Sequence, residues 1–210
     1  MITKDSPHPH ADDHGLQRRG ALAAITRLVR PPHVLINRHL RALAEGLDQD
    51  LYTEVLVRLY GWHAPATVCL QQTTRLLEQP LPPRALARID ALEADLDELD
   101  VPSAAREQLP RCRLAPPQTR GQAVGLVVTL AGAALGIAHL VPWASPHAAL
   151  PTRFLRDRGL LTWQQMAQQL EALPKQSRAQ AGTAALAYMT TLADWLAPLA
   201  SPAHRSGGAR

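Results

Sequence analysis

The chain predicts an all-α fold, a single-domain multi-helix bundle with a glycine-bearing central helix. Three observations carry this. Leu and Ala dominate an apolar fraction of 46%, while only one Phe, three Tyr and four Trp occur in 210 residues. A core so poor in aromatic and β-branched side chains favours helices over strands. Apolar residues recur at spacings of three and four, the period of one helix face. No segment alternates with period two, and no repeat of roughly 20–50 residues is evident.

A chain of this length buries roughly 70% of the surface it exposes when unfolded, so it needs neither metal nor disulfide to build a core. A charged fraction of 19% and a mean hydropathy of −0.13 exclude a disordered acidic tail, a collagen-like repeat and a multi-span membrane protein. The net charge of +4 and pI near 9.6 suit an acidic partner or an anionic ligand. No helix-turn-helix with a basic recognition helix stands out, and no nucleic-acid partner is expected. Cys69 and Cys112 are widely separated with no CxxC, as expected of reduced thiols in a cytoplasmic protein. The opening MITKDSPHPHADDHG lacks the apolar stretch of a signal peptide.

Taken in order, residues 1–15 carry two Pro and His8, His10 and His14, and are expected to be disordered. That spacing suits a metal, but a flexible segment gives it no fixed geometry. The helical domain is expected over 16–198 and a flexible tail over 199–210. Leu22, Ile25, Leu28 and Val29 form a first stripe; Ile36, Leu40, Leu43 and Leu47 form a second after Pro31 and Pro32. Proline is tolerated in a first helical turn, so this pair is read as starting a second helix. Leu51 to Leu77 predicts one or two helices, with Gly61 and Pro65 as a break or kink. Arg84 to Leu99 reads as an amphipathic helix whose acidic positions form a solvated face. Gln118 to Val141, Leu161 to Leu173 and Gln176 to Leu196 complete the set.

From Gly121 to Thr152 no Asp, Glu, Lys or Arg occurs. At about 1.5 Å per residue, Gly121 to Val141 has the length of a membrane span. Its glycines, its many alanines, His139 and the prolines around His147 favour a buried central helix over insertion. Gly125, Gly132 and Gly136 each cost that helix about 1 kcal/mol relative to alanine. Gly132 and Gly136 lie one turn apart, so a strip of bare backbone is open either to another helix or to a planar ligand. His33 stands at the edge of the second stripe, where an imidazole can ligate a heme iron or sit as a hydrogen-bonded boundary residue. His39 flanks the same stripe and competes for that role. His63 reads as a satisfied interhelical residue. His139, one turn past Gly136, reads chiefly as packing, with reach toward the same cavity as the alternative.

The segments RPPHVLINRHL (Arg30 to Leu40), LYTEVLVRLYGWHAP (Leu51 to Pro65), LEADLDEL (Leu92 to Leu99) and GLVVTLAGAALG (Gly125 to Gly136) occur in that order. RFLRDRGLLTWQQM and an Ala-rich helix ending in ADWL follow them. Together they resemble the bacterial heme oxygenase family, especially the biliverdin-forming enzymes associated with bacteriophytochromes. The resemblance covers about Leu22 to Leu196. It implies a heme oxygenase-like bundle in which heme is both cofactor and substrate, O2 is consumed, and an external reductase or ferredoxin supplies electrons. The implied products are biliverdin, carbon monoxide and ferrous iron, with a bacteriophytochrome as a downstream user.

Carried across, His33 matches the proximal iron ligand, with His39 as fallback, and Gly132 and Gly136 match the distal glycines. Arg27 or Arg30 matches a propionate-pairing residue; Arg153 and Arg156 are further basic candidates. Ala133 stands where mammalian-type members carry an Asp, and Val128 and Ala131 where a Tyr and a Glu are common. Thr67 replaces a frequent Glu, and Gln164 and Gln168 stand where a basic residue often occurs. These replacements leave two alternatives beside the enzyme: a non-catalytic heme- or tetrapyrrole-binding protein, and a cofactor-free helical interaction module. A di-iron oxidase is excluded by the carboxylate-free central segment and the lack of an ExxH.

Overall fold

The chain is organised around its uncharged segment. The structure, a computed structural model, describes residues 20–44, 47–77, 84–144, 150–157 and 163–200, and every element among them is helical. In order these are α1 (Ala21–Ala44), α2 (Gln49–Thr73), α3 (Arg84–Glu98), α4 (Ser103–Glu107), α5 (Arg120–Ile137), α6 (Val141–Ala144), α7 (Arg153–Arg156), α8 (Trp163–Glu171) and α9 (Lys175–Leu196). Short 3-10 turns follow α2, α5 and α9. Residues 1–15, with the His8, His10 and His14 cluster, lie outside the described residues.

Helix α5 is the centre. Thr119 caps its start by accepting from the Gln122 amide, and 14 of its 18 residues are buried. It is long and apolar enough to cross a membrane, yet 78% of that stretch is buried inside the protein. Its closest partner is α9. A Cβ at Gly125 would fall 2.6 Å from the Ala181 carbonyl oxygen and 2.8 Å from Ala184 Cβ. Thr129 Oγ1 adds a polar tie, donating to the carbonyls of Gly125 at 3.0 Å and Ala185 at 3.3 Å. Small residues on both helices therefore bring two backbones together. Gly125 thus serves helix packing, whereas the helix-packing alternative read from the sequence concerned Gly132 and Gly136. Helix α1 packs on another side of α9, where Leu28 Cδ2 lies 3.4 Å from the Cβ position of Gly182.

Pro31 and Pro32 do not begin a new helix; both lie inside the continuous α1. Each lacks the N–H that would reach back four residues, to Arg27 and Leu28. Those two residues are exposed. The buried stripe of Leu22, Ile25, Pro32, Ile36, Leu40 and Leu43 keeps helical register across the prolines, and its burial outweighs their cost.

Gly61 and Pro65 likewise do not break α2. A Cβ at Gly61 would lie 2.6 Å from the Pro110 carbonyl oxygen and 2.7 Å from Trp195 Cζ2, so the glycine admits the extended segment after α4. That segment is tied down where the Cys112 amide donates to the Gly61 carbonyl at 2.8 Å.

The acidic positions of α3 are not all solvated. Asp95 is fully buried. It accepts from the backbone amides of Arg153 at 3.2 Å and Phe154 at 2.9 Å, and from the Arg153 guanidinium, which also pairs with Glu98 at 2.6 Å. This carboxylate therefore moors α7. Leu199, assigned to the tail from sequence, is buried in the turn Ala197–Ala200, which packs on α1. Cys69 and Cys112 are free and buried, and burial pushes both thiols up.

Candidate functional site

Because α1 and α5 both pack on α9, a cleft opens between them. The stretch of α1 facing it contributes Thr26, Val29, Arg30 and His33; α5 contributes Val128, Thr129, Gly132, Leu135 and Gly136; Ala185 and Met189 of α9 form the floor. The cavity volume is about 200 Å³, and its lining is mostly apolar. On α1 the spacing of 26, 29, 30 and 33 is one helix stripe, so periodicity alone turns His33 and Arg30 to the same side.

His33 faces the bare backbone of α5. A Cβ built on Gly136 would meet His33 Nε2 at 3.0 Å and Asn37 Oδ1 at 3.5 Å. Asn37, one turn along α1, lies with its amide nitrogen 3.3 Å from His33 Nδ1. Amide oxygen and nitrogen exchange places by a flip of the side chain. With the oxygen toward the ring, Asn37 accepts from Nδ1–H and fixes which ring nitrogen carries the proton. At Gly132 a Cβ would meet only Met189 Cε at 3.5 Å, an ordinary contact, so the cleft is roomier there.

The structure brings together His33, Arg30, Gly132 and Gly136 of the residues singled out from sequence. Ala133 does not join them. It is buried in the core and outside the cleft lining, because a helix turns about 100° between adjacent residues. Arg27 is exposed and also outside the lining, which leaves Arg30 as the charged residue there among those described. His39 lies half-buried on α1, outside the lining as well. Arg153 serves Asp95 and Glu98 instead. The side chain of His139 lies outside the described residues. Asn37 and Met189 carry no motif signal and went unremarked in the sequence; only the folded contact exposes them.

His63 occupies a different place. It is interhelical as expected but not satisfied. It lies edge-on to Trp62 and to Phe154 of α7, at centroid distances of 5.0 and 5.1 Å, and its Nε2 has no hydrogen-bond partner among the described residues. Arg88 of α3 stacks its guanidinium 4.3 Å from the Phe154 ring centroid. Burial, reinforced by the Arg88 cation, holds the His63 imidazole well below its usual range; burial also pushes Arg88 down to about 10.

The folded state therefore keeps His63 neutral where the unfolded chain takes up a proton. Stability should fall as pH drops below about 6.5, by about 1.4 kcal/mol per pH unit from this residue, until the lowered folded value is reached. Urea unfolding of wild type and His63→Phe between pH 7.5 and 5.5 checks this. The wild-type curve should be steeper by one proton's slope.

Comparison with protein-family models, with curated proteins and with solved structures finds no match for this chain.

Proposed function

We propose that the cleft between α1 and α5 binds heme and that the protein is a heme oxygenase, cleaving heme oxidatively to biliverdin, carbon monoxide and ferrous iron. The observation that carries this reading is the opposition of His33 on one helix to the glycine backbone of Gly132 and Gly136 on the other. An imidazole is a common heme ligand, and side chains on the opposite wall would occupy the space that the ring face needs. Val29, Val128, Leu135 and Met189 supply apolar contact for a macrocycle. Arg30 at the cleft supplies a guanidinium able to hold a propionate carboxylate in a bidentate grip.

The donor set fits heme; the spacing between the walls is closer than heme needs. Carbon atoms on each face of a flat ring pack at about 3.5–4.0 Å, more than the present gap between His33 and Gly136 allows. The cavity is also smaller than the roughly 300–1,000 Å³ of ordinary ligand pockets. Each wall packs extensively on α9, whereas the two walls touch each other only briefly.

When bound, heme supplies the oxygen chemistry, with electrons from an external reductase or ferredoxin. His33 would hold and orient it, with Asn37 setting which ring nitrogen carries the proton. The α5 backbone at Gly132 and Gly136 would form the wall facing the ring and limit the space beside it.

One observation favours a second reading, a heme- or tetrapyrrole-binding protein without turnover. The described side chains that α5 presents to the cleft are Val128, Thr129 and Leu135, and the Thr129 hydroxyl is engaged with two carbonyls. Proton delivery then depends on water held by backbone groups.

The test is an absorbance titration with hemin, followed by ascorbate or a ferredoxin system in air. It is run on wild type, His33→Ala, His39→Ala and Gly136→Leu. The expected result is a 1:1 Soret band that is lost or displaced in His33→Ala and Gly136→Leu, kept in His39→Ala, and converted to a biliverdin spectrum in wild type. A Soret band that never decays identifies the non-catalytic binder. No specific band in wild type overturns the heme reading and leaves the cofactor-free interaction module.

A further inference from the structure

The cleft has a wider end that the contact of His33 with Gly136 does not close. At Gly132 an added Cβ would meet only Met189 Cε, at 3.5 Å, against 3.0 Å to His33 Nε2 at Gly136. The cavity of about 200 Å³ is somewhat larger than the roughly 150 Å³ apolar cavity that takes up benzene. At its present width it therefore holds one aromatic ring and a short substituent, about ten non-hydrogen atoms in all. Its lining suits a flat apolar group. The Gly132 backbone presents no side chain, Val29 and Val128 line the space around it, and Met189 lies at the floor. A thioether beside an aromatic ring is a favourable contact.

Charge selects the polar end of the ligand. Arg30 lines the same cavity, and its exposure places it at the mouth. It has no hydrogen-bond or ion-pair partner among the described residues. Neither wall repels an anion: α1 and α5 contain no Asp or Glu, and Ala185 and Met189 of the floor are uncharged. A guanidinium holds a carboxylate through two parallel hydrogen bonds. We propose that the Gly132 end of the cleft, at the width it has in this structure, binds a small aromatic monocarboxylic acid. The ring lies on the Gly132 backbone and the carboxylate pairs with Arg30. An aliphatic acid of similar size lacks the flat face that bare backbone accommodates. The site needs no heme, no parting of the walls and no contribution from His33. Where hemin also binds, the two ligands compete for the same wall.

The experiment titrates the heme-free protein with phenylacetate by calorimetry at neutral pH, with phenylacetamide and hexanoate as comparison ligands. Wild type is run beside Arg30→Gln, Arg27→Gln and Gly132→Leu. Arg27 is exposed and outside the lining, so its substitution makes the same change in net charge away from the cavity. Circular dichroism checks folding; should Gly132→Leu not fold, Val29→Phe fills the cavity from the facing wall. The expected result is 1:1 binding of phenylacetate to wild type, weakened about fivefold in Arg30→Gln, unchanged in Arg27→Gln and lost when the cavity is filled. Phenylacetamide, equal in size but uncharged, should bind wild type and Arg30→Gln alike. No binding of phenylacetate by wild type, equal losses at 27 and 30, or tighter binding of hexanoate overturns the proposal. The heme reading fails separately. Phenylacetate binding without a hemin band supports this site and removes heme, whereas a hemin band without phenylacetate binding overturns this site alone.

Discussion

Replacing Asp95 by Ala should destabilise the protein by about 3 kcal/mol or more, although Asp95 does not line the cleft. Its carboxylate is fully buried and accepts the backbone amides of Arg153 and Phe154 together with the Arg153 guanidinium. Alanine leaves the buried Phe154 amide and its neighbour without an acceptor, and each such group costs roughly 1–3 kcal/mol. The Arg153 side chain adds little to this sum, because it is more than half exposed and water replaces its partner. Asp95→Asn keeps one carbonyl acceptor and should lose about half as much. Denaturant unfolding gives both values. Equal stability of Asp95→Ala and wild type would show that the carboxylate does not hold α7.

The second large effect lies between α5 and α9. A Cβ at Gly125 meets the Ala181 carbonyl oxygen at 2.6 Å, Ala184 Cβ at 2.8 Å and the Ala185 amide nitrogen at 3.1 Å. Two of these three are backbone atoms, so relief comes only from moving the helices apart. Gly125→Ala should cost about 1–3 kcal/mol despite the higher helix propensity of alanine, and Gly125→Val more than about 4 kcal/mol. Two turns along the same helix, Gly132→Ala meets only the flexible end of Met189 at 3.5 Å. That variant should be stabilised by about 0.5–1 kcal/mol. Thermal and urea unfolding of Gly125→Ala and Gly132→Ala should therefore show opposite signs for one chemical change. A shared sign would contradict this account of the α5–α9 contact.

Legibility followed the range of the interaction. Helical class and the approximate extents of α3, α5, α8 and α9 came from periodicity, which is local. The misread proline pair shows the limit of local propensity: Pro32 lies on the buried stripe, and packing of that stripe decides the outcome. Gly61 shows the same limit, since its reason is a segment about fifty residues away in sequence. Asp95 looks like its exposed neighbours on α3, because its partners arrive only when α7 docks. At the cleft, His33, Arg30, Gly132 and Gly136 were singled out from the sequence, but the contact of His33 with Gly136 belongs to tertiary structure. Ala133 was drawn in by the resemblance, and its place on the helix turns it into the core and outside the cleft lining.

The two walls of the cleft are moored separately to α9 and hardly to each other, like two jaws set on one spine. Few contacts join the two walls directly, and the buried α5–α9 seam is separate from them. The aperture and the core are thus different mechanical elements of one small chain. A substitution that jams the jaws should leave the melting temperature almost untouched, and one that loosens the spine at Gly125 should change the resting aperture as well as the stability.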